Sequence, residues 1–67
     1  MPYADNADLP ASVRLHLPAH AQTIFRAAFN HAMDTYGDEA RAFRIAWAAV
    51  KHRYEKRGSL WVEKADA

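Results

Sequence analysis

The run Ala46-Trp47-Ala48-Ala49-Val50-Lys51-His52-Arg53-Tyr54 constrains this chain more than any other stretch. At helical spacing Trp47, Val50 and Tyr54 fall on one stripe, and Phe43 extends it one turn earlier. Ala46 and Ala49 flank the stripe and let a second helix approach closely. Lys51, His52 and Arg53 interrupt the apolar run together, which gives the segment a packed face and a charged face. The rest of the chain is read as what covers this helix.

A chain of 67 residues is one small domain, burying only about 60% of its unfolded surface. It has no cysteine, so neither a disulfide nor a thiolate-bound zinc supports the fold. The start Met1-Pro2-Tyr3-Ala4-Asp5 has no basic, apolar leader, and no segment approaches the roughly 20 apolar residues of a membrane span. The expectation is a soluble, cytoplasmic protein.

Pro10, Pro18 and the two glycines punctuate the chain. Asp8-Leu9-Pro10 opens a short helix at about 10–16, with Leu9, Val13 and Leu17 as its apolar edge. Pro18 ends that helix and starts the next, at about 18–36. There Ile24, Ala28, Ala32 and Tyr36 form one ridge, and Phe25, Phe29 and Met33 another. Gly37 supplies a left-handed cap, Asp38 an N-cap and Glu39 a favourable first-turn charge. The third helix is expected over about 39–57, with Gly58 ending it. Leu60-Trp61-Val62 reads as a strand, and the extended stretch around Pro2-Tyr3 is its candidate partner. The expected fold is mainly α: a compact three-helix domain with a small two-stranded sheet joining the N- and C-terminal segments. Its core is Leu9, Val13, Leu17, Ile24, Phe25, Ala28, Phe29, Ala32, Phe43, Ala46, Trp47, Val50 and Tyr54. Each large member contributes roughly 1.5–3 kcal/mol of burial before entropy is set against it.

No catalytic set is legible. Ser12, Thr23, Thr35 and Ser59 stand in no nucleophile motif, and two glycines cannot build a phosphate loop. His16 and His20 are four apart, but Pro18 between them places them on different helices and not on one metal-binding face. His20, in a first helical turn, is expected to fix that turn through a backbone hydrogen bond. Asp34, Asp38 and Glu39 lack the ligand pattern of a calcium loop, and capping accounts for the last two. No cofactor is implied.

The charge is polarised. Residues 1–40 carry two arginines against five carboxylates, a balance of −3, and residues 41–67 carry seven cations against three carboxylates, a balance of +4. The basic set is Arg41, Arg44, Lys51, Arg53, Lys56, Arg57 and Lys64. Such a surface can meet an acidic protein loop, nucleic-acid phosphates or lipid head groups. The candidate partner-binding residues are Lys51, Arg53, Lys56, Arg57 and Lys64.

Several stretches together resemble the ChaB-like family. They are Met1-Pro2-Tyr3, Asp8-Leu9-Pro10, Val13, Leu17-Pro18-Ala19-His20-Ala21-Gln22, Ile24, Ala28-Phe29-Asn30, Ala32 and Tyr36. The strongest piece is Ala46-Trp47-Ala48-Ala49-Val50-Lys51, followed by Tyr54, Lys56 and Trp61. The resemblance covers nearly the whole chain as a single ChaB-like domain. It implies three helices with a small sheet, no enzymatic activity, and regulation of a ChaA-type cation/proton antiporter. Related domains occur in proteins suspected of binding DNA, so nucleic acid is the second partner class implied. Family members can carry a longer charged loop between the second and third helices that holds divalent cations weakly. Here that connection is cut to Gly37-Asp38-Glu39-Ala40, so the resemblance carries no cation site over.

Overall fold

The computed structural model describes residues 3–64. Among them run a 3₁₀ turn at Asn6–Asp8, then α1 (Ala11–Arg14), α2 (Ala19–Tyr36), α3 (Glu39–Arg53), β1 (Tyr54–Arg57) and β2 (Leu60–Glu63). The three expected helices and the two-stranded sheet are present. Their limits differ in ways that have physical causes.

Pro10 and Pro18 stand as extended N-caps, one position before the first helical turn. The first helix is therefore shorter than 10–16. Its carbonyl ends are tied down by Gln22, whose Nε2 donates to the Arg14 and Leu17 carbonyls at 3.1 and 2.8 Å. This is the role expected of His20. The His20 ring instead faces Tyr54, with Nδ1 3.2 Å from the phenolic oxygen. Gly37 ends α2 at φ 69°, donating to the Met33 carbonyl, and Asp38 caps α3 by accepting from the Arg41 N–H at 3.3 Å.

The main correction lies at the C-terminal side. The third helix stops at Arg53, not near residue 57, and Tyr54 turns extended at φ −125° and ψ 153°. The expected last helical turn is a strand. It pairs antiparallel with β2 in the register Tyr54–Glu63, Glu55–Val62, Lys56–Trp61 and Arg57–Leu60. Gly58 does not end a helix; at φ 64° it opens the two-residue Gly58-Ser59 loop of a hairpin. Both strands thus come from one end of the chain, and the sheet does not join the two termini. Of the expected N-terminal strand, Pro2 lies outside the described residues. Tyr3 is held by a side chain: its N–H donates to Asn30 Oδ1, and Asn30 Nδ2 donates to its carbonyl, each at 2.8 Å. One amide supplies the donor and acceptor that a neighbouring strand would have offered.

The two ends are linked by rings. Tyr3 lies 5.0 Å from Phe29, Phe29 5.0 Å from Phe43, Phe43 5.8 Å from Phe25, Phe25 5.2 Å from Trp47, and Trp47 5.7 Å from Trp61. These separations and their tilted or edge-on angles are favourable for aromatic pairs. Burial, with the Glu39 charge second, raises the Tyr3 phenol above its ordinary value. Around the ring series sits the core: Leu9, Val13, Leu17, Ala21, Phe25, Phe29, Ala32, Ala42, Ala46, Val50 and Tyr54. Ile24, Ala28, Phe43 and Trp47, expected inside, pack against it only half-buried. Ala21 and Ala42 take fully buried places instead. Among the described residues no helix is long and apolar enough to cross a membrane.

Candidate functional site

The groups expected to bind a partner do not form one uniform patch. Lys51 lies in the last turn of α3, four residues after Trp47, so the two share a face. Lys56 lies on β1 directly across from Trp61 on β2, so those two share a face of the hairpin. The hairpin folds back until the indoles of Trp47 and Trp61 lie 5.7 Å apart, tilted by 36°. This brings Lys51 and Lys56 into the lining of one depression of about 290 Å³, together with Ser12 and His16. His16 is fixed there, because its Nδ1–H donates to the Ser12 carbonyl at 2.8 Å. A second depression of about 450 Å³ runs up α3, between Phe43, Arg44, Trp47, Ala48 and Lys51. Trp47 and Lys51 border both.

The other three expected residues have different surroundings. Arg53 lies 3.6 Å from the Glu63 carboxylate, and each side chain is more than half exposed. Arg57 donates through Nε and Nη2 to one Glu55 oxygen at 3.0 and 2.9 Å, on the hairpin face opposite Lys56. Exposed pairs of this kind contribute about 0–1 kcal/mol, but they reduce the charge each arginine offers outward. Lys64 is exposed, and its backbone N–H donates to the Arg53 carbonyl at 2.9 Å, closing the hairpin base onto the helix end. Among the described residues neither Lys51 nor Lys56 has a carboxylate within 4 Å. Lys51 and Lys56 are brought together, while Arg53 and Arg57 are paired within the fold.

Arg44, Trp47, Trp61 and His16 were not among the expected site residues. The seven-residue spacing of Arg44 and Lys51, two helical turns, was the available signal for the first. The helical stripe around Trp47 and the strand pattern around Trp61 point to core and sheet instead. Among the described residues no three His, Asp or Glu side chains gather as a metal group. Asp38 is occupied as a cap, and the Arg41 guanidinium lies 3.9 Å over the Tyr36 ring beside it.

Comparison with known proteins agrees with the fold. The ChaB family model matches residues 9–64. The chain is 48% identical to the "Putative cation transport regulator ChaB" of Escherichia coli strain K12 over 66 residues, covering 84% of this chain and 87% of that one. The same figures hold for the protein of that name in Shigella flexneri. A solution NMR structure of the "putative cation transport regulator ChaB" superposes with a TM-score of 0.85 at 44% identity, covering 96% of this chain and all of the other.

Proposed function

The chain belongs to the ChaB family, and from that premise we propose that it regulates cation transport by binding a transporter, without catalysis. The partner we propose is a ChaA-type cation/proton antiporter, met on its cytoplasmic side. Lys51 and Lys56 are the centre of the contact, with Arg53, Arg57 and Lys64 at its margin. The observation that carries this reading is a basic, ring-lined surface whose central charges find no carboxylate among the described residues. It sits in a relative of proteins named as cation transport regulators. A binder shifts a transporter only through different affinities for its two states, and a tenfold difference corresponds to about 1.4 kcal/mol.

The test is cation-driven proton movement in inside-out vesicles holding the antiporter, with and without the purified chain. A change in exchange rate with the chain, absent for a Lys51→Glu, Lys56→Glu variant, supports the reading. An unchanged rate at saturating protein overturns it. If the chain instead binds duplex DNA with a log–log salt slope of about −0.9 per phosphate neutralised, and leaves transport untouched, the nucleic-acid reading replaces it.

A further inference from the structure

The two depressions share Trp47 and Lys51 in their linings and adjoin there as a track. Arg44 lines only the one along α3 and Lys56 only the one at the hairpin, Lys51 and Trp47 line both, and Trp61 joins at the hairpin. Arg44 to Lys51 spans about 10 Å along the helix at 1.5 Å per residue, which is the length of about three extended residues. Among the described residues no carboxylate lines either depression. The nearby carboxylates of Glu55 and Glu63 are engaged by Arg57 and Arg53. Cations along an apolar floor complement alternating carboxylates and apolar side chains.

Resting on the reading above, we propose that this track binds an acidic peptide segment of the partner. One large aliphatic or aromatic side chain seats beside Trp47, and carboxylates on either side meet Arg44, Lys51 and Lys56. The track suits a peptide better than nucleic acid. Three cations neutralise few phosphates, the chain's net charge is only +1, and the two indoles pack on each other instead of standing apart to stack a base. Ion pairs at the track set partner choice and encounter rate, and the apolar anchor sets residence.

The experiment is selection of random 12-residue peptides displayed on phage against the full chain. The enriched sequences are then titrated as synthetic peptides, followed by emission of the chain's two tryptophans, Trp47 and Trp61. The expected result is enrichment of sequences that combine several Asp or Glu with a large apolar residue. Their affinity should fall about tenfold or more in Lys51→Glu, Lys56→Glu and survive in Lys51→Arg, Lys56→Arg. Enrichment of neutral or basic peptides, or acidic peptides that bind the charge-reversed variant equally, overturns the proposal. So does charge-dependent binding to single-stranded DNA or to vesicles of anionic phospholipid without binding to acidic peptides. Acidic-peptide binding together with unchanged antiporter exchange upholds the track and discards the transporter. Altered exchange without acidic-peptide binding does the reverse.

Discussion

Helix α3 has two faces that use its residues in opposite ways. Toward α2 it offers Ala42, Ala46 and Val50, all fully buried. Toward the hairpin it offers Trp47, half-buried against Trp61, and the exposed Lys51, while the Phe43 ring packs on Phe25 and Phe29 of α2. The small side chains are inside and the largest one is at the edge. Close approach of two helices needs small residues at the crossing, whereas an indole beside solvent keeps an apolar surface available. Packing governs the first face and, on the proposal above, recognition the second, so substitutions should have different consequences on the two.

The largest effect is expected at the packed face. Phe29 is fully buried on α2 and touches the rings of Tyr3, Phe25 and Phe43. Phe29→Ala should cost about 3–5 kcal/mol, comparable to the whole stability of a domain this small. Circular dichroism should show the variant largely unfolded at 25 °C. Ala46→Leu tests the same face from the opposite direction by adding volume where none is free, and should cost about 1–3 kcal/mol in urea denaturation. A tolerated leucine would mean that the alanine line is not a close crossing, and the contrast between the faces would collapse.

This contrast also explains what could be read beforehand. Helices α2 and α3 and the turn between them were legible, because Pro18, Gly37 and Asp38 act locally and each has one strong conformational preference. The hairpin was not. Glu55, Lys56 and Arg57 are good helix formers, and Tyr54 continues the apolar stripe of α3 at the right spacing. The Gly58-Ser59 pair between two four-residue runs was the available hairpin signal. What decides against the helix is tertiary: only a chain that reverses at Gly58 returns Trp61 to Trp47. Ala21 and Ala42 lie outside the expected core for a related reason, since hydrophobicity favours large side chains while a helix crossing selects small ones. The site was legible only as a sign of charge. Which cations keep their charge free depends on Glu55 and Glu63, and their pairing with Arg57 and Arg53 arises from the hairpin.

Trp61→Ala sharpens the comparison at the second face. It removes one half-buried indole and the end of the ring series, which should cost about 1–2 kcal/mol. The helices should persist in far-ultraviolet circular dichroism, while amide protons of Glu55 and Arg57 exchange faster as the hairpin detaches. A loss as large as that of Phe29→Ala would make the hairpin part of the core and dissolve the distinction.

The smallest stability effect should come from the change that the proposal above makes most important to binding. Lys51 and Lys56 are exposed, and the described residues place no carboxylate within 4 Å of either. Reversing both charges therefore breaks no ion pair of the described fold. Glutamate in the last turn of α3 opposes the helix dipole slightly, and glutamate at position 56 still sits across from an indole. The double variant should stay within about 0.5 kcal/mol of the parent in urea denaturation while losing the binding of acidic peptides proposed above. Charges conferring no stability can be assigned to a partner; a destabilisation of 2 kcal/mol or more would instead make Lys51 and Lys56 supports of the hairpin, and their weak binding a consequence of its loosening.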